Sequence, residues 1–378
     1  MLHLVGKSNA ADVYVKDNIL DSETYKQILQ FIDMPMFTGG HIAIMPDCHA
    51  GKGSCVGFTM TLGDFVVPDV VGVDIGCGVL AVNYGKVDGI NLPEFDAALK
   101  AKVPCGFAAR DTPLNGIDTP ELHELRSRVY ADEVAKSMHA LASCGTLGGG
   151  NHFIELDHDG DDNLWAVIHT GSRNLGVKVN SYHNHEMSKA MPATGPQRPR
   201  YAPIRSELAQ AYLHDMRVTQ EFAVTNRKSI ATAISAILGA RPVETVESVH
   251  NYIDVVHGVI RKGAVSAMAG EPIVLPLNSA DGTVLGVGLG NSAWNESAPH
   301  GAGRCLSRSE AKATLKVEDY QEMLVMHGIY SSTANASTLD EAPMAYKPAQ
   351  GILDEVVATM TVQHRLMPIY NFKAEAHR

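Results

Sequence analysis

HIAIMP (residues 41–46), SCVGFTMTL (54–62) and GVLAVNY (78–84) decide the fold class. Each is a short run rich in β-branched and aromatic residues, and Gly, Pro and Asp separate them, so they read as strands joined by tight turns. The same pattern returns at NHFIEL (151–156) and LWAVIHT (164–170). Between about 118 and 143 the pattern is helical instead. TPELHELRSRVYADEVAKSMHALAS opens on Thr-Pro and repeats Leu122, Leu125, Val129 and Val134 at helical spacing. The Pro- and Arg-rich AMPATGPQRPRYAPIR (190–205) predicts an exposed loop leading into a long helix over about 206–238, stopped by Gly239. From 241 onward short strands and glycine turns are expected again, then an extended segment around 355–373. This is not a regular βαβ alternation, and it predicts an α+β fold with strand-rich blocks around helical stretches. No internal repeat is visible.

A chain of 378 residues can bury a large core, and its length allows two or three domains. Hydrophobic residues make up 45% and charged residues 19%, which excludes the disordered and fibrous classes. The N-terminal MLHLVGKSNAADVYVKD lacks a leader-like apolar core, and no run approaches the roughly 18 apolar residues of a membrane helix. A cytoplasmic protein without a membrane partner is expected. Six cysteines without CxxC spacing predict reduced thiols rather than disulfides. A net charge of -11 argues against a protein that wraps nucleic acid over its whole surface, but it leaves room for a local basic pocket.

The chemistry concentrates in glycine turns. In VVGVDIGCGVLAV (70–82), Asp74 and Cys77 stand three apart among glycines, so a carboxylate and a thiolate can face one ion. The alternative is a turn-capping Asp beside an inert core Cys. GTLGGGNHFIEL (145–156) puts Asn151 and His152 at the mouth of a strand, with Glu155 three residues on. WAVIHTGSRNLG (165–176) ends a strand at His169 and continues into a Gly-Ser-Arg turn that suits an anion. VESVHNYIDVVHGVIRKGAVSAMAG (246–270) adds His250, Asn251 and His257, and its Arg261 and Lys262 read as a solvated edge. Asp74, Cys77, His152, His169 and His250 thus all fall at strand ends or in glycine turns, where a fold can converge them on two neighbouring cations bridged by one thiolate or carboxylate. By ligand softness the set favours zinc. APHGAGRCLSR (298–308) then supplies one further histidine, His300, directly before Gly301, Ala302, Gly303 and Arg304. A surplus imidazole beside a filled metal site is free for other chemistry.

Seven motifs in order, MPDCHAGKG (45–53), VGVDIGCG, GGGNHF, HTGSR, HNY, RKGA and HGAGR, resemble the RtcB family of RNA ligases over nearly the whole chain. The resemblance implies a single large RtcB-like domain over 1–378, built of packed β-sheets flanked by helices, with a helical insert at about 176–240. It implies a GTP-dependent ligase that joins RNA 3′-phosphate or 2′,3′-cyclic phosphate ends to 5′-hydroxyl ends. In that reading His300 is the histidine that becomes guanylylated, and Asp47 holds its imidazole. Asp74, Cys77, His152, His169 and His250 resemble the ligands of two Mn²⁺ ions, and here the resemblance overrides softness. Asn151, His152, Phe153, Glu155, Asn251, Pro276, Asn278, Ser279, Thr283, Gly301, Ala302, Gly303 and Lys373 match nucleotide contacts, and Arg173 and Arg304 match grips on RNA phosphates. The pattern departs at PLNSADGT (276–283), where Leu277 and Asn278 replace Gly and Ser of the family's Pro-Gly-Ser-Met-Gly loop and Thr283 replaces another usual Ser.

The wording of the C-terminal half resembles a divergent branch of the family, associated with a peptide release-factor homologue and with repair of cleaved ribosomal RNA. That leaves RNA repair and tRNA splicing both open, with archease as a further expected partner. Two other classes fit parts of the pattern. A two-metal cyclic phosphodiesterase would need the metal residues but not His300. A non-catalytic RNA-binding module would need only structural metals, and the acidic charge weighs against it.

Overall fold

The computed structural model describes residues 1–15, 20–51, 53–117, 119–122, 124, 139–190 and 200–374. The helix expected over 118–143 falls largely outside the described residues, as does most of the loop expected over 190–205. Two large sheets carry the site. The first runs β1 (Leu2–Val5), β2 (Ala10–Val13), β3 (Ile42–His49), β4 (Val56–Thr61), β12 (Val259–Lys262), β11 (Asn251–Asp254). Only its β2–β3 pair is parallel. The second, wholly antiparallel, runs β10 (Glu244–Val249), β6 (Gly78–Asn83), β8 (Leu164–Thr170), β7 (Phe153–His158), β17 (Met360–Lys373), β15 (Gly282–Gly288), β14 (Pro272–Asn278). Two small pairs complete the strands: β5 (Phe65–Val66) with β9 (Ala202–Pro203), and β13 (Ala264–Ser266) with β16 (Ser297–Pro299). The fold is α+β, as the strand pattern indicates.

GVLAVN and LWAVIHT are buried at every position, which explains why both read as unbroken apolar runs. Alternation still sorts their side chains. Leu80, Val82, Ile154, Leu156, Ala166 and Ile168 pack with Ile230 and Ile234 of a long helix. Val79, Ala81, Phe153, Trp165 and Val167 face the opposite way, towards Val274 and Leu285. By the period of two, Cys77, Glu155 and His169 share that second face. The registers Val79↔His169, Phe153↔His169 and Val249↔Gly78 bring the ends of β6, β7, β8 and β10 to one place.

The helices are α1 (Ser22–Ile32), α2 (Pro68–Val71), α3 (Leu92–Lys102), α4 (Asn174–Ala190), α5 (Glu207–Leu238), α6 (Arg308–Thr314), α7 (Val317–Met326) and α8 (Ala349–Val356). The long helix begins and ends where expected: Ser206 caps it through Ala209 N, and Gly239 leaves it at φ 63 in the left-handed region. It also holds the site together. The fully buried Arg227 donates to the carbonyls of Gly76 (2.9 Å) and Thr170 (2.8 Å) and pairs with Glu247 (2.6 Å), tying the turn before Cys77 to the strand end after His169. Arg227→Met is expected to lower unfolding free energy by about 3 kcal/mol, read by denaturant titration, because two carbonyls and a carboxylate lose their donor.

Two expectations for the C-terminal half need correction. Residues 308–326 form helices rather than strands and turns, and the signal was the Ser307–Glu310 capping box. The extended segment begins at Met360, not near 355, because Ala349, Ile352 and Val356 instead form the buried face of α8. No disulfide joins any of the six cysteines, and no helix among the described residues is long and apolar enough to cross a membrane.

Candidate active site

A cleft of about 1340 Å³ opens between the two sheets. Beneath it the aligned strand ends and the turn before β6 gather five side chains, of which Asp74, Cys77, His169 and His250 line the cleft, whereas His152, expected also as a nucleotide contact, lies behind them outside the lining. Asp74 lies in the turn before β6, Cys77 directly precedes β6, His152 precedes β7, His169 is the last residue but one of β8, and His250 sits between β10 and β11. Cys77 Sγ lies 3.3 Å from His169 Nε2 and 3.6 Å from His152 Nε2, and His152 Nε2 lies 3.3 Å from Asp74 Oδ2. Two groups of potential ligands result, Asp74–Cys77–His152 and Cys77–His169–His250, with ligand atoms within 4.8 Å of one another and Cys77 common to both.

The protonation chemistry suits cations. His152 Nδ1 meets the Leu147 carbonyl at 2.9 Å, which leaves Nε2 to face the cluster. Burial and the neighbouring imidazoles hold His169 and His250 well below the usual histidine range, so both stay neutral. Burial works to raise Asp74, but His152 outweighs it and keeps the carboxylate ionised. Burial and the Asp74 charge push the Cys77 thiol well above its usual value. The buried His250 Nδ1 has no hydrogen-bond partner among the described residues. Three imidazoles, one with an unsatisfied buried nitrogen, a thiol and a carboxylate form a donor set that could hold metal ions.

His300 belongs to neither group. Its ring centroid is 4.8 Å from that of His250, and its Nδ1 is 2.6 Å from Oδ2 of the fully buried Asp47, which also accepts from the His300 backbone N at 3.2 Å. The other oxygen, Asp47 Oδ1, is buried without a partner among the described residues. A carboxylate on Nδ1 fixes the tautomer and presents Nε2 as the reactive nitrogen. The geometry of β16 explains the placement: its last residue, Pro299, pairs with Ala264, so His300 emerges beside the end of β12. Gly303, at φ 70, lies so close to the Asp47 backbone that a Cβ there would collide with it.

Asn151, Phe153, Glu155, Asn251, Pro276, Asn278, Ser279, Gly301, Ala302, Gly303, Arg304 and Lys373 all line this cleft. Glu155 accepts from Asn371 Nδ2 at 2.6 Å, and burial pushes its carboxyl up to about 7 against the opposing charge of Lys373. Lys373 Nζ stands 4.5 Å from the Phe153 ring centroid.

Several expected contacts are otherwise engaged. Thr283 is buried within β15 and does not line the cleft. Asn278 folds back on its own turn, accepting from Ala280 N and Asp281 N at 2.9 Å, and Asn251 is spent between the Asp74 carbonyl and Gly263 N. Arg173 lies outside the cleft lining and donates to Thr146 Oγ1 and the Gly106 carbonyl. Arg304 reaches the cleft, but its guanidinium is taken up by Glu341 and by the carbonyls of Leu306 and Asp340.

Arg261 and Lys262 are not a solvated edge. They sit on β12, between β4 and β11, where Arg261 is fully buried against Asp254 and Ser297. Lys262 lines the cleft and donates to the Val71 carbonyl at 3.0 Å. Sequence reading also passed over His49 and Lys347, two further lining residues; the only signal was that His49 lies within the MPDCHAGKG motif.

A family model described as tRNA-splicing ligase RtcB matches residues 27–142 and 124–374. The chain belongs to the RtcB family. RNA-splicing ligase RtcB1 of Escherichia coli is 32% identical over 391 residues, covering 92% of this chain and 95% of its own. RNA-splicing ligase RtcB of Escherichia coli K12 matches to the same extent. The tRNA-splicing ligase RtcB of Aeropyrum pernix is 29% identical over 434 residues, covering 89% of each chain. RtcB membership accounts for the seven motifs in register, and each falls on or beside the cleft between the sheets.

Proposed function

We propose that this protein is a GTP-dependent RNA ligase that joins a 3′-phosphate or 2′,3′-cyclic phosphate end to a 5′-hydroxyl end. The observation that carries the reading is His300, which belongs to neither candidate ligand group, is anchored through Nδ1 by Asp47 and has its ring centroid 4.8 Å from that of His250. His300 Nε2 attacks the α-phosphorus of GTP, and pyrophosphate leaves with the bonding pair. A 2′,3′-cyclic end is first hydrolysed, water forming the new O–P bond as the P–O2′ bond breaks and the 2′ oxygen takes up the proton, which leaves a 3′-phosphate. An RNA 3′-phosphate oxygen then attacks the guanylyl phosphorus and frees His300, giving an activated RNA-ppG end. Attack of the 5′-hydroxyl on the RNA 3′-phosphorus expels GMP and seals the strand. Splitting the activation over a labile phosphoramidate is covalent catalysis. Asp74, Cys77 and His152 would hold one divalent cation and Cys77, His169 and His250 a second, Mn²⁺ by family resemblance, supplying positive charge against the phosphates.

Lys262 and Lys373 add fixed positive charge to the cleft, and Glu155 suits the donor edge of guanine. A carboxylate that accepts guanine N–H groups must be ionised, whereas Glu155 in the free protein takes up a proton near pH 7. GTP affinity is therefore expected to fall as pH drops from 8 to 6. Glu155→Gln is expected to flatten that dependence and erase the preference for GTP over ATP, measured by calorimetry across pH. The function itself is tested with two RNA oligonucleotides bearing 3′-phosphate and 5′-hydroxyl ends: sealing that requires both GTP and Mn²⁺ supports it. Opening of cyclic ends without sealing would contradict it. Total RNA cut by a ribotoxin, incubated with the protein, would show which broken RNA it reseals.

A further inference from the structure

His49 lines the same cleft, and no step above uses it. Its Nδ1 lies 3.0 Å from the backbone carbonyl oxygen of Asp47. A carbonyl only accepts, so Nδ1 carries the proton and the lone pair of the neutral ring sits on Nε2. Among the described residues the hydrogen bond that His49 makes runs through Nδ1, which leaves Nε2 for a ligand. One residue therefore holds two imidazoles: the Asp47 carboxylate fixes His300, and its carbonyl fixes His49. Lys347 stiffens the same strand end by donating to the carbonyls of Pro46 (2.9 Å) and Cys48 (2.8 Å).

Of the three transfer steps that act on a 3′-phosphate end, only the last has a proton to remove. His300 attacks as a neutral ring and the RNA 3′-phosphate attacks as an anion, but the 5′-hydroxyl must be deprotonated. We propose that His49 is the general base for that step, an assignment that rests on the ligase reading. The 5′ O–H bond breaks as its proton passes to His49 Nε2. The O–P bond to the RNA 3′-phosphorus forms, and the P–O bond to GMP breaks with its electron pair leaving on GMP. Burial, opposed by the bond to Asp47, depresses His49 to about 4, so the ring is unprotonated at neutral pH. The RNA phosphates entering the cleft favour the imidazolium once the proton has moved.

The test uses the full-length protein, GTP, Mn²⁺ and pre-activated RNA ending in 3′-ppG, with His49→Asn and His49→Ala. Asparagine keeps an N–H for the Asp47 carbonyl but offers no basic nitrogen. Guanylylation of His300 is expected at near wild-type rate in His49→Asn, while single-turnover sealing of a 5′-hydroxyl strand falls by roughly 10²–10⁴-fold and activated RNA accumulates. A strand ending in a 5′-thiol, which ionises near neutral pH, should seal within about tenfold of wild type. Wild-type sealing of the hydroxyl strand by either variant overturns the assignment. So does an equal loss of guanylylation and sealing in both variants, or a thiol strand as impaired as the hydroxyl one. A wild-type protein that neither takes up GMP nor seals overturns the ligase reading itself, and this assignment with it.

Discussion

His300→Ala is expected to abolish sealing, with a loss on the order of 10⁴-fold or more, while leaving metal content unchanged. The size follows from the role. A covalent nucleophile has no substitute in the cleft, and removing such a group costs most of the chemical step rather than a share of binding. The metal expectation follows from the geometry, since His300 is in neither ligand group and its ring is fixed by Asp47 alone. Assaying sealing and elemental metal content on the same preparation separates this account from one in which His300 is a further ligand, where both would fall together. Asp47→Asn should show a smaller loss on the first step, because an amide can still contact Nδ1 but cannot stabilise the charged ring.

Cys77→Ala is expected to empty both cation sites, whereas His250→Ala should empty one. Cys77 is the single residue shared by the two groups, and its sulfur touches imidazoles of each. Elemental analysis after manganese loading should fall from about two ions per chain to nearly none in Cys77→Ala, and to about one in His250→Ala. Guanylylation should drop by about 10³-fold or more in Cys77→Ala, because the triphosphate then meets only the fixed charges of the cleft. Retention of one full ion in Cys77→Ala would show that the thiol does not bridge.

The α+β pattern and the convergence of the candidate residues were both legible in the sequence. Candidate ligands announce themselves through glycine turns, and Asp74, Cys77, His152, His169 and His250 converge because antiparallel registers align four strand ends. His300 stands out because it directly precedes Gly301, Ala302, Gly303 and Arg304. Side-chain commitments were not legible. Nothing in GSR or HGAGR says that Arg173 and Arg304 spend their guanidinium groups on protein carbonyls and a carboxylate, since those partners come from residues 106, 146 and 306–341. Lys262 was misread for a related reason: a charged pair beside glycine looks solvated until neighbouring strands cover it. The helices at 308–326 were hidden by their brevity, although Ser307 and Glu310 spell a capping box.

The most direct test is incubation of the protein with α-labelled GTP and Mn²⁺, followed by denaturation and peptide mapping. Label retained on the peptide that contains His300, lost in acid and stable in alkali, is the predicted result. A metal-loaded, folded protein that carries no label, or carries it on another residue, would contradict the account.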